Sequence, residues 1–418
     1  MTAAPGKKRR VTGRKPARQA KPPDRNLQWE KRTLETVAFT YRRFPVAIVR
    51  GRGPWVWDAN GKKYLDFLAG VAVNCLGHGH PAITRAVREQ ASKLLHISNY
   101  FHIPSQTELA EELTRRSFAG RVFFCNSGAE ANEAALKLAR KWGQEHGGRV
   151  EIVSTTNSFH GRTIGSLSAT GQTKYAEGFG PLLPQVRFVP FGNAGALAEA
   201  VTEKTCAVLI EPVQGEGGVV LPPDGYLPRV QEICRERGAL LLVDEVQVGI
   251  GRTGTLFAYE QMGFEPDIMT LAKGLGGGVP IGAMCARTEI MEALGPGTHG
   301  STFGGNPLAT AVALAVVREI ARPALLANVR KQGERIRHYF RKLQAGDHTG
   351  LVADVRGIGL MTGIEVTREG PEIVKRGIEL GLIANCTAGN VIRLVPPLNV
   401  TSREVDTACR LLRQAMGI

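Results

Sequence analysis

Residues 239–247 read ALLLVDEVQ, an unbroken apolar run that ends in two adjacent acids, Asp244 and Glu245. A strand that is hydrophobic on both faces is typical of a parallel sheet covered by helices on both sides. Similar β-rich runs alternate with helical patterns along the chain: RVFFC (121–125), AEANEAALKLARKWG (129–143), EIVST (151–155), VRFVP (186–190), CAVLIEP (206–212) and LPRVQEICRERG (227–238). This alternation predicts an α/β domain with a mostly parallel sheet between helices.

Four segments are expected along the 418 residues. Residues 1–26 form a basic tail rich in Pro, Gly and Ala, which cannot build a core and is expected to be disordered. Residues 27–75 contain WVWDANGKKYLDF, a β-hairpin pattern with an Asn-Gly turn, and are expected to join a small domain. The large domain is predicted at 76–309, and the smaller α+β domain is completed by residues 310–418.

The formal net charge of +15 does not predict a nucleic-acid-binding protein, because about half of the excess lies in the tail. The tail is Arg-rich and poor in acids, as transit peptides are, but it lacks their apolar face and serines. No apolar stretch is long enough to cross a bilayer, and the seven cysteines include no C-x-x-C pair. We therefore expect a cytoplasmic protein with free thiols and no membrane segment.

Metal binding is not expected either. His78-Gly-His80 has the look of a metal-ligand pair, but no Cys or carboxylate stands at ligand spacing from it. A glycine-flanked turn before Pro81 is the better interpretation.

Three stretches carry side chains suited to chemistry. In NSGAE (126–130), which opens a predicted helix, Ser127 and the helix N-terminus could hold a phosphate, although Ser127 could equally act as a cap with Glu130. Asp244 stands beyond the carboxyl end of a strand, where such sheets bind ligands. In TLAKGLGGGVP (270–280), Lys273 is an amine surrounded by glycines, which leave room for a flat ligand.

These groups together fit pyridoxal 5'-phosphate. A lysine forms an imine with an aldehyde, a carboxylate keeps a pyridine nitrogen protonated, and a helix N-terminus binds a phosphate. GIGRTG (249–254) also matches the G-x-G-x-x-G pattern, but the following TLFAYEQMG is too short and irregular for the helix of a dinucleotide site. A nicotinamide-dependent oxidoreductase is thus an alternative that rests on this motif alone, and a nucleic-acid-binding function rests on the tail alone.

Eight segments, in order, resemble the class III, fold-type I aminotransferases of the acetylornithine/ornithine group. The resemblance runs from about residue 35 to the C-terminus. The segments are AVNCLGHGHP, FFCNSGAEANEAALKLAR, SFHGRT, LIEPVQGEGGV, LLLVDEVQVGIGRTG, LAKGLGGGVPIGA, HGSTFGGNPLA and VIRLVPPL. The resemblance implies a large pyridoxal-phosphate-binding domain, a smaller α+β domain and a pyridoxal-phosphate-dependent transfer of an amino group.

The resemblance also implies which residues bind the cofactor. Lys273 is expected to bind the aldehyde covalently and to move the substrate proton, and Asp244 is expected to pair with the pyridine nitrogen. The other contacts are expected from Phe159 and Val246 to the two ring faces, Gln247 to the ring hydroxyl, and Ser127, Gly128 and Ala129 to the phosphate. Thr302 is expected to reach the phosphate of the neighbouring subunit in a homodimer.

Substrate binding is implied at two arginines, which can each form a bidentate pair with a carboxylate. Arg162 is expected to meet the distant carboxylate of an ω-amine donor, and Arg393 the carboxylate beside the reacting carbon of glutamate. Glu216 resembles the acid that pairs with Arg393 until glutamate arrives. Glu211 is expected to support the site from behind, and Ser301 to contact substrate. The alternative for each arginine is an ordinary surface salt bridge.

By this resemblance the reaction transfers the ω-amino group of N2-acetylornithine to 2-oxoglutarate, giving N-acetylglutamate semialdehyde and glutamate in arginine biosynthesis. Ornithine, succinylornithine, γ-aminobutyrate and a lysine held on an acidic carrier protein are alternative donors. The basic charge favours the last, because it would attract an acidic carrier. The sequence leaves open the donor, any oligomer larger than a dimer and the role of the tail.

Overall fold

The structure is a computed structural model that describes residues 1–4, 24–346 and 348–418. Most of the predicted basic tail therefore lies outside the described residues. The first helix begins at Arg25 and is capped by Asp24, so it includes the last two residues of the predicted tail. No helix within the described ranges is long and apolar enough to span a membrane.

The strands of the described residues form three sheets. In chain order the strands are β1 Ile48–Arg52, β2 Trp55–Asp58, β3 Lys63–Asp66, β4 Arg121–Cys125, β5 Glu151–Thr155, β6 Val186–Val189, β7 Thr205–Ile210, β8 Leu240–Asp244, β9 Ile268–Leu271, β10 Gly282–Ala286, β11 Val352–Ile358, β12 Met361–Val366, β13 Leu382–Ile383, β14 Asn385–Thr387 and β15 Val391–Leu394.

The α-helices lie between and around these strands. They are α1 Arg25–Thr36, α2 Ala69–Ala72, α3 Pro81–Ala91, α4 Pro104–Arg115, α5 Gly128–Glu145, α6 Ile164–Ser168, α7 Ala194–Ala200, α8 Tyr226–Arg237, α9 Thr288–Met291, α10 Pro307–Ile320, α11 Pro323–Gly346, α12 Gly370–Leu380 and α13 Ser402–Met416. Short 3-10 helices cover Thr173–Tyr175, Ala258–Gln261 and Lys273–Leu275.

The large central sheet has the order β4-β10-β9-β8-β7-β5-β6. Neighbouring strands are parallel except for β10, which is antiparallel to both β4 and β9. Side chains of β8 alternate between two core clusters, with Leu241 and Val243 in one and Leu240 and Leu242 in the other. Because both faces of β8 are buried, its sequence is continuously apolar. The predicted α/β domain with a mostly parallel sheet is confirmed.

The N-terminal hairpin and the C-terminal region share one sheet. β2 and β3 pair antiparallel around the Asn-Gly turn, as the sequence predicts. β13 from the C-terminal region adds to β3 in parallel, with Leu382 opposite Leu65 and Ile383 opposite Asp66. A third sheet, β11-β12-β15-β14, belongs to the C-terminal region and carries Arg393 on β15. The predicted domain boundaries stay a prediction.

The His78-Gly-His80 segment is part of a turn. His78 Nε2 lies 2.9 Å from Asp66 Oδ2, and the His80 ring caps α3 by accepting the Ala82 N–H. Within the described residues, no three His, Cys, Asp or Glu side chains are grouped so that they could hold a metal ion.

Candidate active site

A cavity of about 390 Å³ opens at the carboxyl ends of β4, β5, β7, β8 and β9. This is the edge at which parallel α/β sheets bind ligands. Most of the predicted site residues line it: Ser127, Gly128, Ala129, Phe159, Arg162, Glu211, Asp244, Val246, Gln247 and Lys273. The fold thus brings together residues that are up to about a third of the chain apart in sequence.

Lys273 begins the short 3-10 helix that follows β9, and its side chain lines the cavity. Its backbone φ of 40° lies in the left-handed region, which residues other than glycine rarely adopt. The loop is tight, because a Cβ on Gly276 would collide with the carbonyl oxygen of Val279. Burial lowers the pKa of the Lys273 amine, although the negative charge of Glu216 acts against this shift.

Asp244 stands at the end of β8 and accepts three hydrogen bonds. Its Oδ2 accepts from Asn132 Nδ2 and His160 Nδ1, both at 2.8 Å, and its Oδ1 accepts from the Val246 N–H at 3.0 Å. Thr270 Oγ1 donates to Asn132 Oδ1 at 2.8 Å, which fixes the orientation of that amide. A carboxylate only accepts, so His160 carries its proton on Nδ1. These donors hold the Asp244 carboxylate in one position.

Asn132 and His160 were not predicted as site residues. Asn132 is a polar residue on the buried, alanine-rich face of α5, and His160 is inside the SFHGRT segment. A buried polar residue amid apolar neighbours needs a partner, and that signal could have identified Asn132. Nothing local in the sequence indicates that the partner is Asp244.

The N-terminus of α5 forms the phosphate end of the predicted site. Ser127 caps the helix by accepting the Glu130 N–H at 3.2 Å, whereas the Glu130 carboxylate accepts from the Asn126 N–H. In a capping box the glutamate would accept the N–H of the capping residue, Ser127, so here this second hydrogen bond is shifted by one residue. A Cβ on Gly128 would stand 2.8 Å from Val246 Cγ1, so only glycine lets the helix approach that side chain. The cap is observed, and phosphate binding stays a prediction.

Arg393 is fully buried behind the cavity and is paired with Glu216. Its Nη1 lies 2.6 Å from Glu216 Oε1 and also donates to Gln247 Oε1 at 2.9 Å, while its Nη2 has no partner in the described part of the chain. Burial would raise the pKa of Glu216, but the charges of Arg393 and Lys273 outweigh it and hold this pKa below its usual value. Glu216 therefore carries the negative charge that its predicted pairing role needs.

Arg162 differs from Arg393 in its surroundings. Its side chain is exposed at the cavity, and its Cζ lies over the Tyr175 ring at 3.9 Å from the centroid. No carboxylate in residues 1–4, 24–346 and 348–418 lies within ion-pair distance of Arg162, so the alternative of a surface salt bridge does not apply here.

Two buried carboxyl groups support the loops around the cavity. Glu211 accepts the N–H groups of Phe159 at 3.1 Å and Gly215 at 3.3 Å, and so joins two loops. Burial raises the pKa of Glu211 to about 7. Glu245 points away from Asp244 to the backbone of Ala258 and Tyr259, and burial raises the pKa of Glu245 to about 8.

Ser301 and Thr302 do not line the cavity of their own chain. Ser301 Oγ accepts from Asn126 Nδ2 at 3.1 Å and from the Gly304 N–H at 3.0 Å. Thr302 is exposed in a separate groove beside Tyr100 and Phe123. Their predicted contacts, to substrate and to the phosphate of a neighbouring subunit, stay predictions.

The GIGRTG segment serves packing between the large sheet and the C-terminal region. Arg252 is buried, and its Nη1 donates to the carbonyl oxygens of Leu360 at 3.0 Å and Pro396 at 2.6 Å. A Cβ on Gly251 would collide with Ile320. The element that follows is the four-residue 3-10 helix Ala258–Gln261, not the crossover helix of a dinucleotide-binding motif.

Comparison with known proteins identifies the family. The family model for class III aminotransferases matches residues 36–416. The acetylornithine aminotransferase of Caldanaerobacter subterraneus subsp. tengcongensis is 50% identical over 394 residues, which cover 94% of this chain and 99% of that protein. An ornithine aminotransferase from Toxoplasma gondii, solved with pyridoxal phosphate at partial occupancy in its active site, has a TM-score of 0.89 at 36% identity and 93% coverage of both chains. An acetylornithine aminotransferase from Elizabethkingia anophelis has a TM-score of 0.83 at 35% identity, with 94% of this chain and 99% of that chain covered.

The cavity fits the cofactor of this family by the chemistry of its donor groups. Lys273 offers an amine to an aldehyde, Asp244 a carboxylate to a pyridine nitrogen, and the N-terminus of α5 its N–H groups to a phosphate. The matches confirm the resemblance found in the sequence and the fold-type I architecture that it implies. The chain therefore belongs to the class III aminotransferases, enzymes that use pyridoxal 5'-phosphate.

Proposed function

We propose that this protein transfers the ω-amino group of N2-acetylornithine to 2-oxoglutarate and so gives N-acetylglutamate semialdehyde and glutamate, a step of arginine biosynthesis. The half-identical relative named acetylornithine aminotransferase, aligned over nearly the whole chain, supports this donor. The free amino acid ornithine is the second candidate, because a structural neighbour with a TM-score of 0.89 is named for it.

The observation that carries the proposal is the different state of the two arginines. An ω-amine donor places its carboxylate far from the reacting carbon, whereas glutamate places one directly beside it. Arg162 is open to the cavity, while the buried Arg393 is paired with Glu216 at 2.6 Å. A donor without a carboxylate beside its amine leaves that pair closed. Glutamate can replace Glu216 on Arg393, whose Nη2 is still free among the described residues.

The side chains of the cavity divide the work of this reaction. When bound, pyridoxal phosphate carries the amino group between the two half-reactions. Because burial lowers the pKa of Lys273, a larger fraction of its Nζ is neutral and able to accept the proton from the amine-bearing carbon of the substrate. Asp244 would hold the pyridine nitrogen, and its donors Asn132 and His160 keep its carboxylate oriented.

Substrate specificity is tested with the purified enzyme and equal concentrations of N2-acetylornithine, ornithine, succinylornithine and γ-aminobutyrate, with 2-oxoglutarate as acceptor. The expected result is the highest kcat/KM for N2-acetylornithine, measured as glutamate formed. A higher kcat/KM for ornithine, or activity only on a lysine held by a carrier protein, would replace the proposed donor. Lys273→Ala is the control: it should lack both turnover and the visible absorbance that arises when the cofactor aldehyde is bound to the lysine.

We further propose that the protein works as a homodimer in a reducing, cytoplasmic environment. The exposure of Thr302 outside the cavity of its own chain supports a role in the site of a neighbouring subunit. All seven cysteines are free thiols, which supports a reducing compartment.

A further inference from the structure

Tyr175 is an aromatic residue beside the cavity that has no assigned role. Its ring centroid lies 3.9 Å from Arg162 Cζ and 5.5 Å from the Phe159 ring, which it meets nearly edge-on at 82°. Arg162 Cζ lies farther from the Phe159 ring, at 5.6 Å. The Tyr175 ring is therefore the main surface on which the Arg162 guanidinium rests.

The segment that carries Tyr175 is tied to the loop that carries Arg162. Gln172 Nε2 donates to the carbonyl oxygens of Asn157 and Ser158, both at 3.2 Å, and the Gly171 N–H donates to Ser158 Oγ at 3.0 Å. A Cβ on Gly171 would collide with the carbonyl oxygen of Thr155, so this close approach requires glycine. The backbone of the two segments is thus held together, which places the Tyr175 ring beside the loop that carries Arg162.

An aromatic face holds a guanidinium without using its N–H groups. The attraction is between the positive charge and the electron-rich ring face, so all five donors stay available to a carboxylate. Arg393 is the opposite case, because Glu216 must leave before a substrate carboxylate can bind there. Lys174 Nζ lies 4.9 Å from the same Tyr175 ring and adds a second positive charge near this end of the cavity.

We propose that Tyr175 is a positioning residue that holds Arg162 in place for the distal carboxylate of the ω-amine donor. The proposal rests on the proposed function, since it assumes a donor with such a carboxylate. Arg162 is thereby preorganised, and the donor need not spend binding energy on ordering a flexible, exposed side chain.

The test compares two amines that differ only in the carboxylate: N2-acetylornithine and N-acetyl-1,4-diaminobutane. Steady-state kinetics of the cofactor-loaded enzyme are measured for wild type, Tyr175→Leu and Tyr175→Phe with saturating 2-oxoglutarate. Loss of a cation–π contact should raise the KM of Tyr175→Leu for N2-acetylornithine about 3- to 30-fold, with kcat changed less than about twofold. Its kinetics with the amine that lacks the carboxylate should stay at the wild-type level. Tyr175→Phe keeps the ring and should rescue the KM.

The matched control is Phe179→Leu, which also replaces an aromatic ring by leucine. Phe179 is exposed on the same segment as Tyr175, but Arg162 does not lie over its ring. It should leave the KM for both amines unchanged. Where the turnover of the amine without the carboxylate is below detection, its inhibition constant against N2-acetylornithine replaces the KM. Thermal melting of each variant checks folding, and Tyr175→Met serves if the leucine variant unfolds.

Three outcomes would overturn the proposal. Equal losses for both amines would mean that Tyr175 only supports the structure, and an unchanged KM in Tyr175→Leu would mean that Arg162 needs no stacking partner. A loss in Tyr175→Phe as large as in Tyr175→Leu would assign the effect to the hydroxyl. Wild-type activity on ornithine instead of N2-acetylornithine would reject only the proposed donor, and ornithine and 1,4-diaminobutane would then be the compared pair.

Discussion

At the residue scale, the acids Asp244 and Glu245 are neighbours in the chain, yet their side chains have different roles. Asp244 faces the cavity and is held by Asn132 and His160. Glu245 faces the opposite side and accepts two backbone N–H groups of the segment that begins with Ala258. The alternation of side chains along an extended backbone explains the division. One acid is available to the cofactor, and the other is structural.

The buried carboxyl of Glu245 predicts a pH dependence of stability. Its pKa is raised from 4.5 to about 8 by burial, so between these values the unfolded chain releases a proton that the folded chain retains. Stability therefore falls as pH rises through this window, by up to about 5 kcal/mol, and levels off above it. Glu245→Gln should remove this part of the decrease, as measured by urea unfolding at pH 5.5, 7 and 8.5. Parallel profiles for variant and wild type would contradict this prediction, and the exposed change Glu199→Gln should give such a parallel profile.

Because Asn132 holds Asp244, we expect the affinity for the cofactor to depend on Asn132, although this side chain need not touch the cofactor. Asn132→Ala removes one donor to the Asp244 carboxylate, and hydrogen bonds to charged groups contribute about 1.5–3 kcal/mol. We expect the dissociation constant for pyridoxal phosphate to rise about tenfold, measured by absorbance titration.

The matched control for this change is Asn328→Ala. Asn328 Nδ2 donates to the carbonyl oxygens of Leu398 and Val400, away from the cavity, so its loss should lower stability without changing cofactor affinity. Equal cofactor affinity in Asn132→Ala and wild type would show that His160 and the Val246 N–H suffice to hold Asp244.

At the element scale, the site depends on how closely α5 approaches the loop after β8. The helix begins at Gly128, directly against Val246, and its N-terminal N–H groups face the cavity. Gly128 is expected from the sequence to lie at the phosphate. In the structure it is also the point at which α5 contacts the loop after β8. Glycine at a helix start is otherwise a poor choice, since alanine has the higher helix propensity.

Gly128→Ala should lower cofactor affinity although it improves helix propensity. The added Cβ would stand 2.8 Å from Val246 Cγ1, so either the helix must move or Val246, which is predicted to contact the cofactor ring. The matched change is Gly195→Ala, at an exposed position in the first turn of α7 where a Cβ has room. It should leave cofactor affinity unchanged and raise stability by up to about 1 kcal/mol. Unchanged cofactor affinity in Gly128→Ala would contradict this account of the contact.

At the scale of the whole molecule, contacts between distant parts of the chain connect the cavity to the C-terminal region. Arg252 donates across to the carbonyl oxygens of Leu360 and Pro396, and β13 completes the sheet of the N-terminal hairpin. Arg393 reaches Glu216 from β15, so one of the two proposed carboxylate sites depends on how the C-terminal region is placed. The proposed homodimer extends the same principle to a second chain.

Subunit mixing tests that dimer. Lys273→Ala and Thr302→Glu should each be inactive alone, the second because its carboxylate repels the phosphate of the neighbouring site. When the two variants mix at random, half of the dimers contain one subunit of each kind. Each such mixed dimer has one of its two sites with both residues intact, so co-refolded subunits should regain about a quarter of wild-type activity.

The matched mixture pairs Lys273→Ala with Arg393→Ala. Both residues serve the cavity of their own chain, so no mixed dimer has a complete site and no activity should return. Absence of recovery in the Thr302 mixture, or full activity of Thr302→Glu alone, would contradict the contribution of Thr302 across subunits.

The local patterns predicted strands β4 to β8, helices α5 and α8, and the position of Asp244 at the end of β8, but β9, which precedes Lys273, was not predicted as a strand. These follow from residues within about ten positions, because burial on both faces makes a strand apolar and strand ends carry the chemistry. The pairing of Arg393 with Glu216 came from family resemblance and not from any local signal.

The tertiary structure alone decided which side chains meet. Asn132 and Asp244 are 112 residues apart, and Arg393 and Glu216 are 177 apart. The ring of Tyr175 could not be assigned to Arg162 from the sequence either. Such contacts depend on strand order and helix packing, which bring distant segments to one edge of a sheet, and no periodicity in the chain encodes them directly. The sequence by itself thus determined the chemistry that is present, and the fold determined the partner that each group finds.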